Sequence, residues 1–264
     1  MITKIQHPGV LQLSMSNRIS RAVGYSVSAY VTHGELVDCG PPSAEREMSS
    51  LLGELRPQAA WITHHHEDHA GNIELLARRG VPIGATAATL DYCRAPHALP
   101  FYRRITWKSP RPLSSAVMPA TQGALELITS PGHCRDHNIL WDADDATLFA
   151  GDLYLGVKVR VAHPDENPTL LSRSLRSAAA LEPRRMFDAH RGLVERPVHQ
   201  LLAKAQWIDE TVGEITRRVD AGWTDAAIRD DVLGREQWSG YFSAGEYSRT
   251  AYVRAVRSSR ESRR

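Results

Sequence analysis

The segment THHHEDH at residues 63–69 brings together four histidines, a glutamate and an aspartate directly after a short apolar run. If that run is a strand that continues through the histidines, His64 and His66 point to the same side and can reach one metal ion. Asp68 and His69 are adjacent, so their side chains diverge and suit a second ion nearby. Zinc prefers such nitrogen and oxygen ligands, which iron and manganese also accept. The spacing therefore favours a metal site over a polar loop.

A metal centre needs further ligands, and three candidates follow apolar runs later in the chain. His133 follows ITSPG, Asp152 follows LFAG, and His190 follows RRMFDA. Each of these runs is typical of a short strand, so each candidate ligand is expected in the loop after a strand.

The elements that would position these residues change in type along the chain. Residues 24–40 predict two strands around a turn at His33-Gly34, and 44–56 predict a helix that stops before Pro57. The histidines then occupy a strand-to-helix loop. Beyond Pro197 the apolar spacing is helical, and Ser243 with Glu246 forms a capping-box sequence that predicts a helix start. We expect a catalytic domain over 1–196 and a helical extension over 197–264 that packs on it.

The ordered ligand candidates resemble those of the metallo-β-lactamase superfamily of hydrolases, over about residues 11–192. The resemblance implies an α/β fold, an αββα sandwich of two mixed sheets packed face to face, here with a helical C-terminal extension. It implies that one ion binds His64, His66 and His133, that a second binds Asp68, His69 and His190, and that Asp152 bridges them. It also implies that Asp38, in LVDCG, is structural.

The chain resembles some branches of that superfamily more than others. Antibiotic-hydrolysing members usually lack a bridging aspartate, so Asp152 argues against a dedicated β-lactamase. It favours the branch that contains glyoxalase II-type thioesterases, lactonases and ribonucleases. The segment SPGHCRDHNILW and the helices that follow also resemble the β-lactamase-like protein 2 group. DAHRG departs from the usual Pro-Gly-His-Gly of the family, so His190 is the least certain ligand by pattern.

These residues imply a hydrolase in which a hydroxide bridged by two zinc ions attacks the substrate, with Asp68 as the catalytic carboxylate. We expect a small ester, thioester or lactone as substrate. The alternatives are a single-strand ribonuclease or phosphodiesterase, a promiscuous β-lactamase, and a metal-binding protein without turnover. Asp136 and Asp188 could orient imidazoles, although solvated loop positions suit them better.

Two features bear on substrate binding. Tyr154 could donate a hydrogen bond to substrate, or simply be a buried tyrosine at a strand end. Arg103 and Arg104, in an aromatic and basic segment at 101–111, could hold a phosphate or nucleic acid, or lie in an ordinary solvated loop. A nucleic-acid partner is kept as an alternative and is not the favoured one.

Composition limits the remaining possibilities. The 264 residues are 42% hydrophobic and carry a formal net charge of +2, which suits a globular protein without a strong bias toward nucleic acid. Three cysteines form no recognisable disulfide framework, and no segment is typical of a secretory signal or a membrane span. We expect a soluble, cytoplasmic protein with free thiols. Its oligomeric state is left open.

Overall fold

The computed structural model describes residues 1–22 and 24–261, which form two compact units. The sheet unit comprises residues 1–129, 136–151 and 186–194, and the helical unit comprises 130–135, 152–185 and 195–264. Residues 262–264 of the predicted extension lie outside the described residues. The predicted boundary between residues 196 and 197 stays a prediction.

The sheet unit contains two β-sheets. Strands of the first sheet follow chain order: β1 (Ile2–His7), β2 (Val10–Met15), β3 (Val27–Thr32), β4 (Glu35–Val37), β5 (Ala59–Trp61) and β6 (Ile83–Gly84). Strands β1 to β4 pair antiparallel, whereas β4, β5 and β6 pair parallel. The second sheet contains β7 (Glu126–Thr129), β8 (Asn138–Asp142), β9 (Thr147–Phe149), β10 (Arg185–Asp188) and β11 (Gly192–Val194), in the order β11-β10-β9-β8-β7.

Apolar side chains from both sheets pack together in one cluster. Tyr30 and Trp61 from the first sheet share it with Leu140, Phe149 and Phe187 from the second. The rings of Phe149 and Phe187 stack with centroids 5.5 Å apart. Full burial of one such side chain contributes roughly 1.5–3 kcal/mol, so this layer is a main source of stability for the sandwich.

Helices cover the outer face of the first sheet. The helices of the sheet unit are α1 (Arg18–Ala22), α2 (Glu45–Leu55), α3 (Ile73–Arg78), α4 (Ala87–Arg94) and α5 (Phe101–Trp107). Met48 and Leu52 of α2 and Leu76 of α3 pack with strand residues such as Leu36 in a second core cluster. The predicted hairpin and the predicted helix before Pro57 are confirmed by β3, β4 and α2. The basic segment at 101–111, expected as a loop, contains α5 instead.

The helical unit has its own core. Its helices are α6 (Pro168–Ala179), α7 (Pro197–Asp220), α8 (Asp225–Ile228) with a π-helical turn over Arg229–Leu233, α9 (Trp238–Phe242) and α10 (Arg249–Glu261). Ile215, Ile228, Leu233 and Val253 pack together in this core.

The predicted helix start at Ser243 is wrong, because α10 begins at Arg249. Ser248 Oγ instead accepts a hydrogen bond from the Ala251 N–H, and the Glu236 carboxylate accepts from the N–H groups of Arg249 and Thr250. A carboxylate distant in sequence therefore supplies part of the cap.

Two expectations from composition can be compared with the structure. Cys39, Cys93 and Cys134 are all free and buried, as expected for thiols without a disulfide framework. Within the described residues, no helix combines the length and the apolar composition needed to cross a bilayer.

Candidate metal centre

Asp38 anchors the histidine-rich loop of the sheet unit. It follows β4 directly, adopts a left-handed backbone conformation with φ of 59°, and is buried. One carboxylate oxygen accepts from the backbone N–H of Thr63 at 2.8 Å, and the other lies 2.8 Å from Nδ1 of His69. The Thr63 hydroxyl also donates to this carboxylate. Asp38 therefore fixes both ends of the loop 63–69.

The loop enters α3 through a close backbone approach. A Cβ atom at Gly71 would lie 2.1 Å from the carbonyl oxygen of Glu67, so only glycine fits there. The Asn72 side chain donates to the carbonyls of residues 39, 40 and 41. These contacts hold the end of the ligand loop against the segment that carries Asp38.

His64 and His66 are buried and their rings approach edge to face. Nε2 of His64 lies 3.0 Å from Nδ1 of His66, a spacing that suits two ligands of one ion with bonds of about 2.0–2.1 Å. Nδ1 of His64 lies 3.0 Å from the Thr63 hydroxyl oxygen. Because that hydroxyl donates to Asp38, it accepts from Nδ1–H of His64, which leaves the Nε2 lone pair for an ion.

The expected continuation of the strand through His64 and His66 is wrong, although the two side chains do lie together. Strand β5 ends at Trp61, so His64 and His66 lie in the loop and not on alternate positions of a strand. His65 and Glu67 between them contact other groups: His65 pairs with Asp136, and Glu67 pairs with Arg103.

Asp68, His69 and His190 form a second group in the sheet unit, with one ligand atom from each within 4.8 Å of the others. The two Asp68 carboxylate oxygens lie 3.9 Å from Nε2 of His69 and 3.7 Å from Nε2 of His190. Nδ1 of His190 lies 2.6 Å from the carbonyl oxygen of Ser26, to which it donates. Asp38 and Ser26 thus fix both imidazoles so that their Nε2 atoms face Asp68.

Tyr25 adjoins this group and was not indicated by the sequence. Its ring stacks on His190 with centroids 4.5 Å apart, and its hydroxyl lies 3.3 Å from Nε2 of His190. It follows a turn, and no spacing relation links it to His190, so only the folded chain reveals the contact.

In the helical unit, His133 and Asp152 lie together. Nε2 of His133 is 3.4 Å from a carboxylate oxygen of Asp152, and its Nδ1 is 3.2 Å from a carboxylate oxygen of Glu166. Glu166 therefore takes the role toward His133 that Asp38 takes toward His69, and Nε2 of His133 faces Asp152. No sequence pattern indicates Glu166, because it lies in a loop among other polar residues.

The loop that carries His133 is held against α6. Gly132 has φ of +141°, and a Cβ atom there would lie 2.3 Å from the backbone nitrogen of Leu171. Its carbonyl accepts from the Asn167 N–H at 2.7 Å, and the Ser174 hydroxyl donates to the carbonyl of Pro131. The Pro-Gly turn predicted before His133 thus lets this loop approach a helix backbone.

The residues predicted to contact substrate already have protein partners. The Tyr154 hydroxyl donates to Gln200 at 2.8 Å. The Arg103 guanidinium forms a bidentate pair with the buried carboxylate of Glu67. Burial raises the pKa of Glu67 and the charge of Arg103 opposes that rise. Arg104 is exposed. Substrate contacts by these three residues stay predictions.

Asp136 and Asp188, for which solvated positions were favoured, are both buried. Asp136 accepts from the backbone N–H of His65 and contacts its Nδ1 at 2.7 Å. Asp188 accepts from the backbone N–H groups of His190 and Arg191. Both carboxylates therefore stabilise the loops that carry ligand candidates, through backbone groups rather than through the ligand rings.

Two curated proteins are similar to this chain over most of its length. The beta-lactamase-like protein 2 homolog of Drosophila melanogaster is 27% identical over 220 residues, which cover 74% of this chain and 70% of that protein. The atrochrysone carboxyl ACP thioesterase of Aspergillus fumigatus is 25% identical over 193 residues, 72% of this chain and 55% of that protein.

Among solved structures, a metallo-beta-lactamase family protein from Thermus thermophilus superposes with a TM-score of 0.66 at 18% identity, over 95% of this chain and 92% of that one. The predicted α/β fold is therefore confirmed. The sequence pattern of the Metallo-beta-lactamase superfamily matches residues 32–190, a span that runs from β3 through the histidine-rich loop to His190. With that match over more than half its length, the chain belongs to the metallo-β-lactamase superfamily of hydrolases.

Proposed function

We propose that this chain is a dinuclear zinc hydrolase that cleaves a small ester, thioester or lactone with water. The observation that carries the proposal is the group of Asp68, His69 and His190, in which protein acceptors hold both imidazoles with Nε2 toward one carboxylate. Such preparation of ring tautomers is typical of metal ligands and serves little purpose in a polar loop.

The donor set fits two ions. In the ligand order of the superfamily, His64, His66 and His133 would hold one ion. Asp68, His69 and His190 would hold the other, and Asp152 would contact both. Two bound divalent ions supply a water of lowered pKa and an electrophile that polarises the scissile carbonyl. Nitrogen and oxygen ligands also accept iron and manganese, so the donor set favours zinc without excluding them.

The residues of the chain itself provide orientation and proton transfer. Asp68 is largely buried and has its two carboxylate oxygens on the His69 and His190 sides. A carboxylate in that position can accept a proton from the attacking water and return it to the leaving group. Asp38, Ser26 and Glu166 hold the imidazoles in one tautomer, so no side chain has to reorganise as charge develops.

The thioesterase among the similar proteins supports an acyl substrate. That protein is named for an acyl carrier protein thioester, and hydrolysis of a thioester needs the same attack of water on a carbonyl carbon. The ribonuclease alternative relies on free cations in the segment 101–111, and the pairing of Arg103 with Glu67 removes one of them. We therefore rank the acyl substrate first and keep the cytoplasmic location as part of the proposal.

The first prediction concerns metal content. Purified protein loaded with zinc should hold two ions per chain, and Asp152→Ala should lose one of them, because that residue is proposed to contact both. Elemental analysis measures the number of ions per chain. A panel of ester, thioester, lactone, β-lactam and single-stranded RNA substrates measures hydrolysis. Asp142→Ala, which removes a buried aspartate outside the ligand set, is the control. One ion per chain, with hydrolysis unchanged in Asp152→Ala, would contradict the dinuclear proposal.

A further inference from the structure

Lys204 of α7 is a lysine whose ammonium lies inside the helical unit. The residue is only 2% exposed. Its ammonium donates to the carbonyl oxygen of Leu153 at 3.0 Å and to the carbonyl oxygen of Tyr154. Burial of a charge costs free energy unless hydrogen bonds or opposite charges compensate it, so the position of this ammonium needs an explanation.

The two carbonyl groups belong to the residues that directly follow Asp152. Residues 153–161, all of which the structure describes, contain neither helix nor strand. Leu155 has a left-handed backbone conformation with φ of 51°, so the chain turns directly after the two carbonyls. A buried segment without regular structure has to satisfy its backbone groups through other elements, and these contacts determine its position. Lys204 provides two of them.

Gln200 provides a further contact from the same face of α7. It lies four residues before Lys204, which is about one helical turn, so the two side chains are neighbours on the helix surface. The side-chain oxygen of Gln200 accepts from the Tyr154 hydroxyl at 2.8 Å. One helix face therefore holds both the backbone and the side chain of Tyr154, two residues after Asp152.

α7 is itself fixed against α6, so its side chains can hold another segment in place. Leu201 and Ile208 of α7 are fully buried. The Asp209 carboxylate accepts from the Ser172 hydroxyl at 2.5 Å and from the Arg176 guanidinium at 2.6 Å. The helix that carries Lys204 therefore has both apolar and polar anchors within the helical unit.

We propose that Lys204 and Gln200 are positioning residues that hold Asp152 in the orientation in which it binds zinc. The inference rests on the proposed function, in which Asp152 is a metal ligand. A carboxylate that is held in place loses little conformational freedom when the ion binds, so its partners increase the affinity for the ion without contacting it. Both residues act through residues 153 and 154 and make no contact with substrate.

The charge of Lys204 has the opposite effect on zinc binding. Lys204 lines the same cavity as Asp152 and Glu166. A positive charge near a divalent ion repels that ion, so removal of the ammonium would strengthen zinc binding if charge alone mattered. A loss of zinc affinity on removal of the ammonium therefore identifies the hydrogen bonds as the cause.

The test measures zinc affinity by competition with a chromophoric chelator. Lys204→Met keeps the length of the side chain and removes its donors, and should lower zinc affinity about 10–100-fold. Gln200→Ala removes one neutral hydrogen bond and should lower it about 2–10-fold. Lys158→Met makes the first substitution at an exposed lysine of the same unit, and should leave zinc affinity unchanged.

Two further measurements distinguish positioning from a contribution to folding alone. With zinc in excess, Lys204→Met should lower kcat for p-nitrophenyl acetate about tenfold and leave KM unchanged, because Lys204 orients a ligand and does not bind substrate. The melting temperature of each variant without zinc measures its stability. A purely structural role would lower that temperature and leave the zinc affinity of the folded protein as it is in wild type.

Unchanged or higher zinc affinity in folded Lys204→Met would overturn the inference. If that variant does not fold, Gln200→Ala decides, and zinc affinity equal to that of wild type would overturn the inference in the same way. If the variants lose zinc affinity but zinc-loaded wild type cleaves no ester, thioester or lactone, the proposed hydrolysis fails and the positioning role stands. If wild type cleaves such a substrate and both variants match it in zinc affinity and kcat, the positioning role fails and the proposed function stands.

Discussion

A single buried carboxylate, Asp38, determines the orientation of several groups in the ligand loop. It accepts from the Thr63 backbone and hydroxyl and pairs with Nδ1 of His69, and the Thr63 hydroxyl in turn lies against Nδ1 of His64. One residue thus fixes the tautomers of two proposed ligands that would bind different ions. Its position after β4 explains why an aspartate expected to be structural also contacts the groups that orient two proposed ligands.

We predict that Asp38→Asn lowers zinc affinity about 10–100-fold, because an amide cannot accept every donor that the carboxylate accepts. Competition with a chromophoric chelator measures the affinity. Asp142→Asn is a close control, because Asp142 pairs with His33 at the same distance of 2.8 Å, at the turn before β4. Equal zinc affinity for wild type and Asp38→Asn would show that Asp38 does not prepare the ligands.

The histidine spacing made the candidate ligands predictable, whereas their partners were not. His64, His66, Asp68 and His69 occur within six positions, so short-range geometry limits how far apart their side chains can lie. Asp38, Ser26 and Glu166 act across long sequence separations, and only tertiary contacts bring them to the rings. For the same reason Asp136 was expected in solvent, although it is buried against His65.

At the scale of elements, Glu74 joins α3 to the segment that follows α5. Its carboxylate accepts hydrogen bonds from the backbone N–H groups and hydroxyls of Ser114 and Ser115. Burial raises the pKa of Glu74, but these hydrogen bonds outweigh burial and leave the pKa below its ordinary value. The ionised carboxylate is therefore favoured in the folded state.

We predict that Glu74→Gln destabilises the protein at pH 7 by about 0.5–1.5 kcal/mol, because the amide accepts fewer of the hydrogen bonds from Ser114 and Ser115 than the carboxylate does. A folded-state pKa below the unfolded value contributes stability above the unfolded pKa, and this contribution is lost as the pH falls through the folded value. The difference in the free energy of unfolding between wild type and Glu74→Gln should therefore become smaller as the pH falls. Urea unfolding from pH 7 downward measures it, with the exposed Glu126→Gln as control. A difference that is independent of pH would argue against an ionised Glu74.

Element types were more predictable than their ends. Apolar spacing predicts α2 and α7, since a buried helix face repeats along the sequence whatever its neighbours. The end of β5 at Trp61 was missed because a strand stops where its partner stops pairing, and this information lies in the neighbouring strands. The start of α10 was misplaced for a similar reason, since Glu236 caps it from outside.

At the scale of the whole molecule, two of the four basic residues in the segment 101–111 pair with carboxylates. Arg103 pairs with Glu67, and Arg111 lies 3.2 Å from a carboxylate oxygen of Glu45. Arg104 and Lys108 are exposed. With a formal net charge of +2, the chain has little long-range attraction for a polyanion.

We predict that cleavage of single-stranded RNA by the zinc-loaded protein is weak or absent, and that hydrolysis of a small ester is nearly independent of salt. For a nuclease that binds phosphates, the logarithm of the binding constant would instead fall linearly with the logarithm of the salt concentration. The slope would be roughly −0.7 for each phosphate contact. The double variant Arg104→Ala/Lys108→Ala leaves the Arg103–Glu67 pair intact and should change ester turnover little. Strong, salt-sensitive RNA cleavage that this variant loses would place the nuclease function first.

The strand order of the first sheet has a consequence for how the protein is made. Each strand from β1 to β6 pairs with its neighbour in the chain, so the sheet and the Asp38 network need only residues 2–84. His190 leaves the ribosome about 6–24 s after His69, at a synthesis rate of about 5–20 residues per second. The Asp38 network that orients His64 and His69 can therefore form while the chain that carries His190 is still being translated.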